Sequence, residues 1–324
     1  MSLARWLFVT AVASLVMTHV NAADNATAGV YLGAGCDGVK RMPAYERWLG
    51  RKPEQMLDFI PWEALQQNGE WHVRCWKNAG QKRVVFSVPM LPGSGAKLSD
   101  GAAGKFDTLF KNFAQQLVKY GYGDSIIRIG WEFNADWYPW AASRDPKSWI
   151  EYWRRIVTTM RSVPGANFKF DWNAAETWSW FRAERAYPGD DYVDIIGLDY
   201  YNALGENARH LSPQEAWELR KKAPHGLDWH KKFATKHDKP MSYPEWGTGK
   251  RKKDNLGGGD DPYFIEKMAE WIASNNVAYH NYWDYSAPIF NARLSDKRMP
   301  EAAQAFVQKF GDPKQERRTP SAIE

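Results

Sequence analysis

The chain has 324 residues, of which 44% are hydrophobic and 25% charged, with a formal net charge of +5. This length suits one large α/β barrel of about 250 residues with insertions, or two ordinary domains. A net charge this small, without the extended stripe of basic residues typical of nucleic-acid binding, argues against a nucleic-acid partner. The 18 Trp, 15 Tyr and 15 Phe residues are unusually many, and flat aromatic rings are well suited to stacking on sugars.

The first 22 residues have the pattern of a secretory signal peptide. Arg5 supplies a basic start, an apolar run extends from 6 to 17, and residues 20–22 are small enough to precede a cleavage site. The alternative is a membrane anchor, but the run is shorter than the roughly 20 residues that a membrane span needs. We therefore expect a secreted or periplasmic protein that has no membrane association once the signal is removed.

The chain contains two cysteines, Cys36 and Cys75. In an oxidising compartment they can form a disulfide if their Cα atoms come within about 7 Å, and two free buried thiols are an equal alternative. Two cysteines also argue against a cysteine-rich zinc site. His72, His225 and the other histidines show no tight ligand spacing, so we expect neither a catalytic metal nor a cofactor.

Short apolar runs alternate with helical patterns along the whole chain, which predicts a parallel sheet. The predicted strands are Gly29–Gly33, Met56–Ile60, Arg83–Val88, Ser125–Trp131, Asn167–Trp172, Val193–Asp199, Pro240–Glu245 and Val277–Trp283. Eight such repeats favour a single-domain α/β fold, a closed (β/α)8 TIM barrel, over residues 23–311. The alternative is an open doubly wound sheet, but residues 33–36 lack a full dinucleotide-binding fingerprint. Residues 312–324 are predicted to be a polar tail.

Three helix starts are marked by a capping residue followed by proline. They are Asp145-Pro146, Ser212-Pro213 with Glu215 placed for a capping box, and Asp261-Pro262. Between Thr177 and Asp191 the pattern weakens, and we expect the helix there to be short or irregular.

In such a barrel the active site lies at the carboxyl ends of the strands. The fourth predicted strand ends with Glu132 and the seventh with Glu245, each beside aromatic residues. Hydrolysis of a glycosidic bond with retention needs two carboxyl groups about 5–5.5 Å apart. Strands four and seven face each other across an eight-stranded barrel, so both glutamates are predicted to be catalytic rather than ordinary surface residues.

Two segments resemble glycoside hydrolase family 26, a family of (β/α)8 retaining hydrolases. Residues 128–140, read from Arg128 through Glu132 to Trp140, are similar to its acid/base signature, and residues 240–247 to its nucleophile signature. The resemblance implies that Glu132 is the acid/base and Glu245 the nucleophile. It further implies roles for Arg128 beside the carboxylates, Tyr201 or Tyr200 hydrogen-bonded to Glu245, Trp283 under the sugar, and Trp137 and Asn134 along the cleft.

Other polar and aromatic residues near the strand ends are candidates too. Asp171 and Asn173 are predicted to touch substrate, with structural hydrogen bonds as the alternative. Trp246, together with Trp178 and Trp180, is predicted either to form an extra subsite or to pack. Asp199 is expected to be structural, and Glu176 is a reserve carboxylate.

One residue departs from the family pattern. The family usually has His before the acid/base glutamate, whereas this chain has Trp131. The predicted function is a retaining endo-glycosidase, a monomer acting on β-mannan, β-xylan, β-glucan or a bacterial exopolysaccharide. The alternative is a non-catalytic polysaccharide-binding or export accessory protein on the same barrel.

Overall fold

In the computed structural model, which describes residues 26–312, eight parallel strands close into a barrel. The last of them pairs with the first, with Thr27 beside Tyr279 and Tyr31 beside Trp283. The barrel strands are β1 Thr27–Tyr31, β2 Gln55–Phe59, β3 Val84–Val88, β4 Ile126–Ile129, β5 Lys169–Ala175, β6 Ile195–Asn202, β7 Met241–Thr248 and β9 Val277–Trp283. A small antiparallel pair lies outside the barrel, formed by β8 Lys250–Arg251 and β10 Phe290–Asn291. The predicted (β/α)8 fold is confirmed.

Ten α-helices cover the barrel within the described residues. They are α1 Gly35–Leu49, α2 Trp62–Gln66, α3 Glu70–Asn78, α4 Leu98–Ala102, α5 Asp107–Lys119, α6 Pro146–Arg161, α7 Pro213–Lys221, α8 Leu227–Lys236, α9 Pro262–Ala273 and α10 Pro300–Phe310. Because helices cover the outside and side chains fill the inside, β3 and β7 are buried along their whole length. This is why β3 has a nearly continuous apolar sequence.

The three predicted helix starts are confirmed. The Asp145 side chain accepts a hydrogen bond from the backbone N–H of Ser148 at 3.0 Å, and Asp261 accepts one from Phe264 at 3.0 Å. Ser212 and Glu215 form a reciprocal capping box. Each cap satisfies backbone donors that the first helical turn leaves unpaired.

The segment between β5 and β6 is irregular, as expected. No α-helix forms there, and two 3-10 turns occupy Ala183–Ala186 and Asp190–Tyr192. Strands β5, β6 and β7 all continue about three residues beyond their predicted ends. These extensions reach toward the mouth of the barrel, where the polar residues collect.

Cys36 and Cys75 form a disulfide, with their Cα atoms 5.1 Å apart. It joins the first turn of α1 to α3. Of the two possibilities that the sequence left open, a disulfide or two free thiols, the structure shows the disulfide. The predicted signal peptide, and the predicted tail after Asp312, lie outside the described residues. Within 26–312, no helix combines the length and the apolar character that a membrane span requires.

Candidate active site

A buried arginine organises the mouth of the barrel. Arg128, on β4, is fully buried and donates from Nε to Oδ1 of Asn173 at 2.5 Å and from Nη1 to Oγ of Ser87 at 3.0 Å. Its Nη2 donates to Oε1 of Glu245 at 2.5 Å and also to Asp199. One planar guanidinium therefore links side chains from β3, β5, β6 and β7, which fixes their relative positions.

Glu245 lies on β7 and is 6% exposed. The hydroxyl of Tyr201 donates to its Oε2 at 2.8 Å, while Arg128 donates to its Oε1. Its backbone N–H donates to Oδ1 of Asp199 at 3.1 Å. Both carboxylate oxygens thus face a donor, one of them cationic, which is the environment that a charged nucleophile requires.

Glu132 reaches the same region by an unusual backbone turn. After β4 ends, Gly130 and Glu132 both adopt positive φ, at 52° and 55°. This conformation is uncommon for a residue with a side chain, and such strain tends to occur at functional sites. The turn is held because the N–H of Glu132 donates to the carbonyl of Asn173 at 2.9 Å. Nε1 of Trp137 then donates to Oε2 of Glu132 at 2.9 Å.

The two glutamates differ in their surroundings. Burial, reinforced by the negative charge of Glu245, raises the pKa of Glu132 to about 7, although Arg128 acts in the opposite direction. Burial also raises the pKa of Asp199. Glu245 and Asp199 both pair with Arg128, and Glu132 is influenced by the same positive charge without pairing with it, so the three carboxyl groups cannot all be ionised at low cost near neutral pH. The half-buried Glu132, which has no cationic hydrogen-bond partner among residues 26–312, is the one best placed to keep and exchange a proton.

Aromatic rings form the opposite side of the mouth. Tyr31 stacks on Trp283 with ring centroids 4.1 Å apart, and Phe59 meets Tyr31 edge-on at 5.2 Å. Phe59 also contacts Trp131 at 5.0 Å, while Trp283 contacts Tyr201 at 6.2 Å. These contacts make a continuous aromatic surface from the residue before Glu132 to the tyrosine that holds Glu245.

The structure brings most of the predicted residues together. Arg128 and Tyr201 hydrogen-bond Glu245, Trp137 touches Glu132, and Trp283 is part of the aromatic surface. Asn173 is fully buried and hydrogen-bonds Arg128 and Asp199, which is the structural alternative given for it. Tyr200 is the alternative to Tyr201. Because successive strand residues point in opposite directions, it lies on the other face of β6, where it is fully buried. It packs against Phe264 of α9 at 5.9 Å and does not face the mouth.

Three other predicted positions are corrected. Asn134 is fully buried, and its amide group exchanges hydrogen bonds of 2.9 and 2.8 Å with the backbone of Ala175, so it holds a loop rather than lining the cleft. Trp246 is buried behind β7, with Nε1 donating to Nδ1 of His280 at 3.1 Å, so it packs.

Asp171 is the third correction. It lies fully buried inside the barrel, and its Oδ2 accepts from Ser242 and from Tyr279, both at 2.5 Å. Burial raises its pKa to about 6. Both donors are themselves fully or almost fully buried, so the carboxyl group is closed off from a substrate in the mouth.

Sequence reasoning missed the residues contributed by the first three strands. Tyr31, Phe59 and Ser87 all lie in the ring of side chains around Arg128 and Trp283. The register places Phe59 beside Ser87 and Ser87 beside Arg128. Their positions near strand ends were a usable signal, but none of them carries a charge that would mark it as a candidate.

Asp199 and Glu176 were predicted to lie outside the catalytic pair, the first as a structural residue and the second as a reserve carboxylate. Asp199 holds Arg128 and the Glu245 backbone, which is the structural role expected of it. Glu176 pairs with Arg220 at 2.5 Å, so it is already engaged in an ion pair.

The family model for glycosyl hydrolase family 26 matches residues 110–212. That range contains Arg128, Glu132, Asp199 and Tyr201 and ends before Glu245. Two curated proteins are similar over 49% of this chain. Endoglucanase H of Acetivibrio thermocellus is 33% identical over 177 residues, and a mannan endo-1,4-beta-mannosidase of Bifidobacterium adolescentis is 28% identical over 166 residues. The chain spans only 18% and 16% of the lengths of these relatives.

Solved structures share the fold. The catalytic domain of a Bacillus sp. JAMB-750 endo-beta-1,4-mannanase of the same family superposes with a TM-score of 0.63 at 17% identity, covering 90% of this chain and 87% of that one. A modular endo-beta-1,4-mannanase from Cellulomonas fimi gives 0.61 at 16% identity, covering 88% and 72%. By sequence and by fold, the chain is similar to glycoside hydrolase family 26.

Proposed function

We propose that this family 26-like chain is a retaining glycoside hydrolase that cleaves internal linkages of a polysaccharide. The observation that carries the proposal is the pair of glutamates in contrasting surroundings at one barrel mouth. Glu132 is half-buried with a pKa raised by burial to about 7, whereas Glu245 receives hydrogen bonds from Arg128 and Tyr201. A proton donor beside a charged nucleophile is what a double displacement needs.

In the first step, a carboxylate oxygen of Glu245 attacks the anomeric carbon of the bound sugar. As the glycosidic bond breaks, Glu132 transfers its proton to the departing oxygen, so that the leaving sugar is released as an alcohol. The products of this step are a glycosyl ester on Glu245 and a carboxylate on Glu132. Arg128 and Tyr201 hold Glu245 in place and limit its reorganisation during the attack.

In the second step, Glu132 acts as a base. It takes a proton from water, and the water oxygen attacks the anomeric carbon and displaces Glu245. The configuration at that carbon is inverted twice and so is retained overall. We expect the two carboxyl groups to be about 5–5.5 Å apart around the bound sugar, as this mechanism requires.

Our first candidate substrate is a β-1,4-mannan or glucomannan. The support is the similarity to proteins described as mannan endo-1,4-beta-mannosidase and endo-beta-1,4-mannanase. Trp131 argues for testing other glycans as well, because its ring packs against Phe59 and Tyr138. A packed indole ring in place of the imidazole that the family usually has there changes which sugar hydroxyls the site can hydrogen-bond.

We further propose that the protein acts outside the cytoplasm. The Cys36–Cys75 disulfide supports this, because structural disulfides persist in oxidising compartments. Cell fractionation followed by detection of the chain tests it. Recovery in the periplasm or medium is expected, and an exclusively cytoplasmic, reduced chain would contradict it.

The decisive experiment for activity is a panel of β-mannan, glucomannan, β-xylan, β-glucan and a bacterial exopolysaccharide. Products are identified by mass spectrometry, and the anomer formed first is identified by NMR. Wild type should release oligosaccharides of several lengths with retained configuration. Glu245→Gln should abolish release while thermal unfolding stays cooperative, and the matched control Glu266→Gln, on the exposed side of α9, should be fully active. Binding without release from any glycan would favour the non-catalytic alternative, and an inverted product would overturn the mechanism.

A further inference from the structure

Trp71 is a large aromatic residue that the proposed catalytic machinery does not use. It lies in the first turn of α3 and is 50% exposed. Helix α3 leads back to the start of β3, so its first turn lies at the carboxyl end of the barrel, the same end as Glu132. The ring also borders a cavity lined by polar side chains, and an exposed ring beside such a cavity points to a binding role.

The ring of Trp71 is held in a fixed orientation. It lies so close to the backbone of Gly35 that a Cβ there would be 2.8 Å from Cζ3 of the indole. On another side His72 meets it edge-on, with ring centroids 4.9 Å apart. His72 is itself anchored, with Nδ1 3.2 Å from Oδ2 of the buried Asp58. A ring fixed in this way loses little conformational entropy when a ligand stacks on it.

The disulfide adds to this rigidity. Cys36 follows Gly35 directly, and Cys75 lies one turn after Trp71 on α3. The bond therefore ties together the two segments between which the indole ring is packed. The exposed face of the ring is a preformed platform rather than a side chain that moves freely in solvent.

Polar side chains line a cavity of about 570 Å³ beside this platform. Glu63, Gln67, Glu70 and Arg74 contribute to its walls. Glu70 accepts a hydrogen bond from Tyr120 at 2.6 Å, whereas the exposed side chains of Glu63 and Gln67 make no hydrogen bond to other residues in the described part of the chain. A flat apolar face bordered by free donors and acceptors matches the two kinds of surface that a pyranose ring presents.

We propose that Trp71 and this cavity form a second glycan-binding site, which holds a neutral β-linked segment of the polysaccharide away from the point of cleavage. The charges of the lining argue against an anionic glycan, since it contains two carboxylates, Glu63 and Glu70, and one guanidinium, Arg74. The proposal rests on the proposed function for the identity of the ligand. A polymer that extends beyond the cleavage site gains affinity from a second point of attachment, because the two sites then act at high effective concentration.

The test measures binding in a chain that cannot turn over. Glu245→Gln is run by affinity electrophoresis through gels containing soluble glucomannan, with and without Trp71→Ala. Loss of the stacking ring should weaken retardation about fivefold to tenfold. Trp71→Phe, which keeps a smaller ring, should fall between the two. Leu219→Ala, at an exposed apolar position on α7, is the matched control and should migrate like the parent.

The outcomes separate this site from the catalytic proposal. Unchanged retardation by Trp71→Ala, with wild type hydrolysing glucomannan, overturns the second site and leaves the hydrolase standing. Retardation that depends on Trp71 in a protein that releases no sugar from any glycan supports the site and overturns the hydrolase. No retardation of the parent by any glycan in the panel overturns the second site. Cooperative thermal unfolding of every variant confirms that differences in migration report binding.

Discussion

The two halves of the barrel mouth are built on different principles. Strands β4 to β7 contribute charged and polar side chains that are hydrogen-bonded to one another around Arg128. Strands β1, β2 and β9 contribute the rings of Tyr31, Phe59 and Trp283, which touch one another face-on or edge-on. The mouth therefore has a buried, hydrogen-bonded polar side and an apolar, aromatic side.

This difference separates two kinds of contribution to activity. In the proposed mechanism, groups in the polar half act on charges that develop during the reaction, so their interactions should be stronger in the transition state than in the bound substrate. Stacking on the aromatic half is nearly the same in both states. Substitutions in the polar half are therefore expected to lower kcat, and those in the aromatic half to raise KM.

The largest expected effect comes from the polar half. Glu132→Gln removes the proton donor but keeps the shape and the hydrogen bond from Trp137, and kcat should fall by about 10²–10⁴-fold on a natural polysaccharide. An aryl glycoside whose leaving group needs no proton should lose much less in the first step. The contrast is measured as kcat/KM on both substrates, because this parameter reports the first step, whereas kcat also contains the second step, in which Glu132 is the base. Equal losses of kcat/KM on the two would show that Glu132 is not the acid.

The aromatic half gives the next largest effect. Trp283→Ala removes the ring that stacks on Tyr31, and KM for long chains should rise about tenfold with little change in kcat, since stacking contributes equally to both states. Thermal unfolding checks that the variant stays folded. A fall in kcat with unchanged KM would mean that Trp283 acts mainly in the transition state, as the polar half is expected to, and would contradict the distinction between the two halves.

The extent to which the sequence predicts this arrangement depends on the kind of residue. The alternation of strand and helix patterns predicted the barrel. Glu132 and Glu245 could be recognised as charged residues beside aromatic residues at predicted strand ends. Side-chain direction was harder to predict near the mouth. The pairing of β6 with β7 shifts register between Gly197 and Tyr200, so counting alternate residues along a strand fails across that point. The choice between Tyr200 and Tyr201 therefore needed coordinates.

The sequence also could not show how deep inside the barrel a polar side chain lies. Asp171 lies on a strand that also carries Asn173, and both point away from the covering helices. Asn173 binds Arg128, whereas Asp171 is closed off by Ser242 and Tyr279. Both side chains are fully buried, and they differ in their partners: Asn173 supports the arginine that holds Glu245, and Asp171 joins β5 to β7 and β9. The prediction that Asn134 lines the cleft was wrong for another reason, since the turn at Gly130 and Glu132 redirects the chain.

The smallest expected effect concerns Trp137, which lies at the exposed edge of the polar half. Burial raises the pKa of Glu132, and the hydrogen bond from Trp137 opposes that rise because it stabilises the carboxylate. Trp137→Phe removes this donor, so the pKa of Glu132 should increase further. Because the proposed acid must be protonated for the first step, kcat/KM of the wild type should fall as pH rises through about 7, and in the variant this alkaline limb should move to higher pH. Trp178→Phe, at an exposed indole on the loop after β5, is the matched control and should leave the limb in place. A limb that stays fixed in Trp137→Phe, or moves to lower pH, would mean that the ionisation seen in the pH profile is not that of Glu132.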